Sequence, residues 1–246
     1  MCGIAGFINK NGEDADVQKL KRMTDAVAHR GPDAEGQLCE GNVALGHRRL
    51  SIIDLSEDGR QPMESTDGRF VITFNGEIYN YKELKEELSA CGAVFANDTD
   101  TEVIIEAYRR WGVDCLERFN GMWAFVMFDR SQQELFISRD RFAVKPLYIL
   151  DRKDLFMFAS EPKAIIAAES EENIPDLVQV YRFLKSGIPE DIDERSWYEN
   201  IKQFPAAFYG IYSLKTNSLQ VNPYWQPDVE QLDRRQRPDC NIQRAV

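Results

Sequence analysis

An apolar strand pattern begins at the third residue of the chain. Residues Gly3 to Ile8 are apolar almost throughout, as in a buried strand. The first residues of most domains are poorly ordered, so this pattern predicts that residue 2 lies against the folded core. Residue 2 is Cys2, which becomes the terminal residue if Met1 is removed. Any fold of this chain must therefore bury the first strand and place Cys2 directly beside it.

A terminal cysteine can carry out chemistry without a histidine. Removal of Met1 would leave a thiol and a free α-amine on Cys2. An α-amine has a pKa of about 7.7 to 8.0, so it can serve as a base near neutral pH. The thiolate that forms from a cysteine is a strong nucleophile. The alternative is a buried structural cysteine, which the Met-Cys pair taken alone would favour.

Further strand patterns are grouped, with helical patterns between the groups. This arrangement favours an α+β layered fold over a doubly wound parallel sheet. The other predicted strands are Val43 to Leu45, Phe70 to Phe74, Trp123 to Phe128, Glu134 to Ser138, Leu147 to Leu150 and Leu155 to Ala159.

The predicted helices are marked by their caps and apolar stripes. The first runs from Asp16 to Ala28, and Gly31-Pro32 closes it. The second has Asn80 as N-cap, and the third opens with a capping box of Thr99 and Glu102. The fourth follows Pro175 as a first-turn residue. Its stripe is expected to face inward and consists of Leu177, Tyr181 and Leu184.

Charge and cysteine usage exclude several classes of protein. A net charge of -11 argues against a nucleic-acid surface, which would need a basic face. The five cysteines are odd in number and lack CxxC spacing, and there are only two histidines, so we expect a reducing cytoplasm and no metal site. No apolar run approaches the roughly 18 residues of a membrane span, and no signal-peptide pattern precedes the first strand. We therefore expect neither nucleic acid nor membrane as a partner.

Six short motifs occur along the chain in the order Cys2-Gly3-Ile4-Ala5-Gly6, His29-Arg30-Gly31-Pro32-Asp33, Arg49-Leu50-Ser51-Ile52-Ile53-Asp54, Asn75-Gly76-Glu77-Ile78-Tyr79-Asn80, Thr99-Asp100-Thr101-Glu102 and Ser138-Arg139-Asp140-Arg141-Phe142. Together they resemble the glutaminase domain of asparagine synthetases, which are class II glutamine amidotransferases. The resemblance implies the Ntn-hydrolase fold, a four-layer αββα sandwich with two stacked antiparallel sheets. It covers residues 2–225. Residues 226–246, with few large apolar side chains, are interpreted as a linker into a synthetase domain that the chain lacks.

The resemblance also implies catalytic roles for matched positions. Cys2 would attack the side-chain amide of glutamine, and Asn75 and Gly76 would form the oxyanion hole. The sequence alone leaves another interpretation of Asn75-Gly76 open, a tight hairpin turn after the preceding strand. Arg30 and Asp33 are expected only to shape a loop near the site.

Glutamine binding is assigned by the same resemblance. Arg49 would hold the α-carboxylate, with Arg48 as the competing candidate by composition. Glu77 and Asp100 would receive the α-ammonium, although Asp100 could equally complement a helix dipole. The pocket lining would be formed by Leu50, Ile52 and Ile53. The four other cysteines match no catalytic position of the family: Cys39, Cys91, Cys115 and Cys240.

The function implied is the glutaminase half of an asparagine synthetase, an amino-acid-biosynthetic ligase. Ammonia from glutamine would serve the amidation of aspartate by a synthetase domain in cis or in trans. No cofactor is expected for this chain, since ATP and Mg²⁺ belong to the absent domain, whose Ser-Gly-Gly-Leu-Asp-Ser loop does not occur here. Two alternatives remain: the glutaminase of a related amidotransferase of cell-surface sugar or antibiotic pathways, and a non-catalytic partner-binding domain of the same fold. A homodimer is also left open.

Overall fold

The structure is a computed structural model that describes residues 1–51, 59–169, 173–187 and 194–227. Its strands in chain order are β1 (Gly3–Asn9), β2 (Ala34–Glu40), β3 (Val43–Arg49), β4 (Met63–Glu64), β5 (Phe70–Ile78), β6 (Gly121–Asp129), β7 (Glu134–Arg139), β8 (Tyr148–Asp151), β9 (Leu155–Ala159), β10 (Lys202–Gln203), β11 (Phe208–Ser213) and β12 (Ser218–Pro223). The helices are α1 (Val17–Ala26), α2 (Tyr81–Ala90), α3 (Asp100–Trp111), α4 (Cys115–Arg118), α5 (Pro162–Ala168) and α6 (Leu177–Ser186).

These strands form two six-stranded sheets within the described ranges. The first has the order β10-β8-β9-β1-β3-β2, and the second has the order β12-β11-β7-β6-β5-β4. Neighbouring strands are antiparallel in both sheets. The first strand of the chain is therefore an interior strand, paired with β3 on one side and β9 on the other.

Alternation along β1 shows how the layers are built. Ile4 and Ile8 are fully buried and belong to the apolar cluster between the two sheets. Ala5 and Phe7 point the opposite way, as neighbouring strand residues do, into a cluster formed with α1 and α5. A further cluster joins the second sheet to α2, α3 and α4. The layers are thus helix, sheet, sheet and helix, which confirms the predicted α+β sandwich.

The predicted strands all occur, most of them longer than expected. The patterns of β2, β4 and β10 to β12 were not recognised, because their residues are mostly half-exposed or the strands are very short. The stripe of the first helix is confirmed, with Leu20, Met23 and Val27 fully buried.

The fourth helix occurs after Pro175 as predicted, but the first-turn position of Pro175 and the inward orientation of the apolar stripe were wrong. The helix begins at Leu177 with Asp176 as its N-cap, so Pro175 precedes the cap. Its apolar stripe is exposed, with 74% of Leu177, 63% of Tyr181 and 78% of Leu184 accessible to solvent. The inward residue is Gln179, which is 3% exposed. Apolar periodicity therefore identified the helix but not the face that it buries.

Two predicted caps also differ in detail. Asn80 precedes α2 but does not cap it, since its side chain bonds to Asn120 N–H and the Arg118 carbonyl. Thr99 accepts from Glu102 N–H as predicted, at 3.2 Å. The Glu102 carboxylate instead accepts from Ala96 and Asn97, and so it orders the loop before the helix.

Among the described residues, no helix has the length and apolar character needed to cross a membrane. Residues 228–246, which make up most of the predicted linker, lie outside the described part of the chain. The domain boundary near residue 225 stays a prediction.

Candidate active site

A cavity of about 340 Å³ opens beside the first residues of the chain. It lies where the start of β1 meets the ends of β3 and β5 and the first turn of α3. Its walls include seven positions that the sequence assigned to one site: Cys2, Arg49, Leu50, Asn75, Gly76, Glu77 and Asp100. The other two predicted site residues, Ile52 and Ile53, lie outside the described residues.

Cys2 is half-buried and held by contacts on both its side chain and its backbone. The backbone N–H of Leu50 lies 3.4 Å from Cys2 Sγ, and Sγ lies 3.7 Å from the Leu50 carbonyl. Arg30 donates from Nε to the Cys2 carbonyl at 2.9 Å, and its Nη1 pairs with Glu161 at 2.9 Å. Arg30, predicted only as a loop-shaping residue, thus orients the backbone of Cys2.

Strand geometry separates the two candidate arginines. Arg48 points toward α1, where its Nε donates to the Thr24 carbonyl at 3.1 Å and its Nη2 contacts Asp25 and Glu35. Arg49 faces the opposite side of the strand and lines the cavity. The position matched to the family is therefore the one that reaches the site.

The loop before β2 packs on the backbone of Arg48 and Arg49. A Cβ added to Gly31 would lie 2.3 Å from the Arg48 carbonyl, so only glycine permits this approach. Asp33 shapes this loop, as predicted, through contacts with the end of β3 and the residues that follow it. Its carboxylate accepts from Ser51 N–H at 2.8 Å, and its N–H donates to the Arg49 carbonyl at 3.0 Å.

Asn75 and Gly76 do not form a turn. They lie inside β5, where Asn75 pairs with Ala124 and Gly76 with Trp123. A Cβ on Gly76 would lie 2.4 Å from the Met122 carbonyl and 2.4 Å from the Phe74 ring. Close packing, not a positive φ, therefore requires glycine here.

The side-chain amide of Asn75 is the most informative polar group of the cavity. Asn75 is 1% exposed, and its Nδ2 has no hydrogen-bond partner in the described part of the chain. A buried donor without a partner costs about 1–3 kcal/mol. Proteins tolerate such a cost at sites where the donor has a catalytic or binding role.

Glu77 and Asp100 bring two carboxylates to one wall of the cavity. Asp100 accepts from Ile78 N–H at 3.0 Å. Burial raises the pKa of Asp100 to about 6, against the effect of that hydrogen bond, and the charge of Glu77 raises it further. Adjacent carboxylates are complementary to an ammonium group, which would relieve their repulsion.

His47 lines the same cavity without being a candidate nucleophile or base. Its Nε2 donates to the Phe74 carbonyl at 3.0 Å and thereby joins β3 of one sheet to β5 of the other. Burial lowers its pKa to about 4, so the ring is neutral at pH 7. No sequence pattern signals this role, because the contact crosses between the sheets.

The motif from Ser138 to Phe142 serves to build a loop. The Asp140 carboxylate accepts from the backbone N–H groups of Trp123, Phe142, Val144 and Lys145. Lys145, which the sequence interpretation missed, is brought to the cavity by this loop. Only the fold reveals that a lysine six residues after Arg139 lies near Cys2.

The other described cysteines lie apart from the cavity and are free thiols. Cys115 is fully buried, and burial raises the pKa of its thiol. Cys39 lies half-buried in β2, and Cys91 is exposed. These positions are consistent with the expectation that the three cysteines have no catalytic role. Cys240 lies outside the described residues.

Sequence comparison identifies relatives over nearly the whole chain. A family model described as a glutamine amidotransferase domain matches residues 1–225. Asparagine synthetase (glutamine-hydrolysing) 1 of Bacillus subtilis is 42% identical over 177 residues, covering 71% of this chain and 28% of that protein. Asparagine synthetase 3 of the same organism is 35% identical, covering 94% of this chain and 37% of that protein. The chain spans less than half the length of these curated relatives.

Solved structures place the fold. Glutamine phosphoribosylpyrophosphate amidotransferase from B. subtilis superimposes with a TM-score of 0.68 at 18% identity, covering 92% of this chain and 50% of that one. A second solved structure, of the allosteric regulatory enzyme of purine biosynthesis, superimposes with a TM-score of 0.69 at 18% identity and with the same coverage. These similarities concern the fold alone, which is the Ntn-hydrolase sandwich. The family match over residues 1–225 carries the assignment: the chain, which is similar in sequence to asparagine synthetases, belongs to the glutamine amidotransferase domain family.

Proposed function

We propose that this domain hydrolyses glutamine to glutamate and ammonia through a thioester on Cys2, after removal of Met1. The observation that carries the proposal is the shared cavity, in which Cys2 Sγ and the unpartnered Asn75 amide both lie. A nucleophile and an orphaned donor in one cavity are what acyl transfer needs.

The proposed reaction has two steps. Cys2 Sγ forms a bond to the side-chain carbonyl carbon of glutamine, and its proton passes to the α-amine of the same residue. That amine then protonates the leaving nitrogen, the carbon–nitrogen bond breaks, and ammonia departs. Water attacks the glutamyl thioester, with the α-amine accepting its proton, and releases glutamate and the thiol.

The surrounding side chains would bind and polarise the substrate. Asn75 Nδ2 would donate to the oxyanion, with Gly76 N–H as the second donor. Arg49 would bind the α-carboxylate of glutamine, and the Glu77–Asp100 pair would bind its α-ammonium. These roles agree with the placement of all three acidic and basic side chains on the cavity wall.

The second part of the proposal concerns the partner that consumes the ammonia. The similarity to asparagine synthetases that are more than twice as long supports a synthetase domain as the partner, in cis or in trans, with aspartate as the acceptor. ATP and Mg²⁺ would bind to that partner, and this domain would need no cofactor. The free thiols of the described cysteines support a reducing compartment, the cytoplasm.

Ammonia release from glutamine tests the proposal directly. We expect turnover by the natural chain and its loss in Cys2→Ala, because no other group supplies the nucleophile. Cys39→Ala is the matched control and should keep normal turnover, since Cys39 lies away from the cavity. Circular dichroism should show the same fold for all three proteins.

Intact mass supplies the second part of the test. The active protein should lack Met1, since a peptide bond at Cys2 removes the basic amine. Full turnover by Cys2→Ala, or by protein that retains Met1, would contradict the mechanism. An intact Met1 together with glutamine binding but no turnover would favour the non-catalytic alternative.

A further inference from the structure

Lys145 is a buried cation on the wall of the cavity. Its side chain belongs to the lining, and the residue is only 5% exposed. Within the described ranges, its ammonium group has no hydrogen-bond or ion-pair partner. A buried charge is costly unless an opposite charge is near. This lysine therefore calls for an anion inside the cavity.

The loop between β7 and β8 fixes the backbone of this lysine at two atoms. The Lys145 N–H donates to Asp140 at 3.0 Å, and its carbonyl accepts from Arg139 Nε at 2.8 Å. Ala143, which lies between Asp140 and Lys145 in the sequence, has a φ of 54°, a strained value for a residue with a side chain. These contacts thus fix the backbone from which the Lys145 side chain extends.

The other charged groups around Cys2 already have defined roles. Arg30 is compensated by Glu161, and the Asp140 carboxylate is occupied by backbone N–H groups. His47 is neutral at pH 7, as described above. Arg49, Glu77 and Asp100 line the cavity as the proposed binding groups for the two charged ends of glutamine.

Cys2 lines the same cavity as Lys145 and can supply a negative charge to it when its thiol loses a proton. Burial lowers the pKa of Lys145 below its ordinary value, and negative charge at Cys2 acts in the opposite direction. Arg30 adds to the lowering, and Glu77 and Asp140 oppose it more weakly than Cys2 does. Lys145 and Cys2 therefore share one cavity, and negative charge on the sulfur would favour the ammonium form of the lysine.

We propose that Lys145 is a positioning residue that stabilises the thiolate of Cys2 before it attacks glutamine. The inference rests on the proposed function, in which the thiolate is the nucleophile. It assigns to Lys145 the electrostatic role that a neighbouring imidazolium has in other cysteine enzymes. The thiol proton would then already lie on the α-amine of Cys2, which would deliver it to the leaving nitrogen.

Thiol alkylation separates this role from a structural one. Iodoacetamide modification of Cys2, followed by peptide mass spectrometry, should be about tenfold slower at pH 7 in Lys145→Met than in the natural protein. The difference should narrow as the pH rises through the lowered pKa of Lys145, because its ammonium group then loses its charge. Lys145→Arg, which keeps the charge, should retain most of the rate. Glutaminase kcat should fall with the alkylation rate, and KM should change little.

The matched control is Lys215→Met, which removes an exposed lysine from the turn between β11 and β12. It should alkylate as fast as the natural protein. Equal alkylation rates for Lys145→Met and the natural protein at pH 7 would overturn the proposal, and a raised KM alone would assign Lys145 to substrate binding instead. Alkylation needs no turnover, so it tests Lys145 even if glutaminase activity is absent and the proposed function fails.

Discussion

At the scale of single residues, the site is built from groups whose burial costs stability. The Asn75 amide has an unpartnered donor, Lys145 is a buried residue whose pKa is lowered by burial, and Asp100 has a carboxyl group whose pKa is raised by burial. The burial of each of these polar groups costs stability in the protein without substrate. Each would gain a partner when glutamine, or the charge that forms during its hydrolysis, occupies the cavity.

Asn75→Ala tests whether the orphaned amide acts on the reaction. We expect kcat to fall by about 10² to 10³, because one oxyanion donor is lost. The melting temperature should stay the same or rise, because an unsatisfied buried donor is removed at the same time. Steady-state kinetics and thermal melting would measure both effects.

Asn42→Ala is a suitable control for that experiment. Its amide donates to the Asn9 carbonyl at 2.8 Å, outside the cavity, so this variant should lose some stability and keep its activity. Unchanged kcat in Asn75→Ala would remove Asn75 from the oxyanion hole.

Sequence reasoning found the residues that lie within recognisable motifs and missed those that do not. Cys2, Arg49 and Asn75 were located because each lies in a short pattern typical of the family. Lys145 and His47 reach the cavity through a loop and through a contact between sheets, and neither is coded by local spacing. A buried charge can be recognised only when its surroundings are known.

At the scale of elements, hydrophobic periodicity predicted the helices better than their orientation. The stripe of α1 packs on the sheet, whereas an equally regular stripe on α6 is exposed. Periodicity states that a helix has an apolar face and does not state what covers that face. Similarly, the Asn-Gly pair suggested a turn, but the pairing of β5 with β6 continues through it.

Paired leucine truncations test the two orientations. Leu20→Ala in α1 should cost about 2–5 kcal/mol in free energy of unfolding, because a fully buried side chain leaves a cavity. Leu184→Ala in α6 should change it by less than about 0.5 kcal/mol, since the side chain is mostly exposed. Chemical denaturation would measure both. A cost above about 2 kcal/mol for Leu184→Ala would show that this face is covered in solution.

At the scale of the whole molecule, the cavity depends on the stacking of the two sheets. Cys2, directly before β1, and Arg49, at the end of β3, come from one sheet, and β5 supplies Asn75 and Glu77 from the other. His47 and Thr73 hydrogen-bond across the interface, to Phe74 and Gly46 respectively. The layered architecture was predictable from the motifs, but these cross-sheet contacts were not.

Asp100 and His47, whose pKa values are both shifted by burial, should affect stability with opposite signs. Asp100 has a raised pKa of about 6, so its ionised form costs stability as pH rises from about 4 to 6. His47 has a lowered pKa of about 4, so stability is lost as pH falls from about 6.5 to 4, where the unfolded chain binds the extra proton.

Conservative variants separate these effects. Relative to the natural protein, Asp100→Asn should gain stability at pH 7.5 and lose that gain near pH 4. His47→Gln, which can still donate to the Phe74 carbonyl, should gain relative stability only at acid pH. Urea denaturation at pH 4 to 7.5 would measure both profiles. Parallel profiles for the two variants would contradict the assignment of opposite signs.

The covalent intermediate is the most direct test of the central claim. Protein that lacks Met1 would be mixed with glutamine, quenched with acid within its first turnovers, and analysed by intact mass and by peptide mapping. We expect a species heavier by one glutamyl group, with the modification on Cys2, that is absent from Cys2→Ala. Turnover of glutamine with no such adduct at any quench time, or an adduct on another residue, would contradict the account.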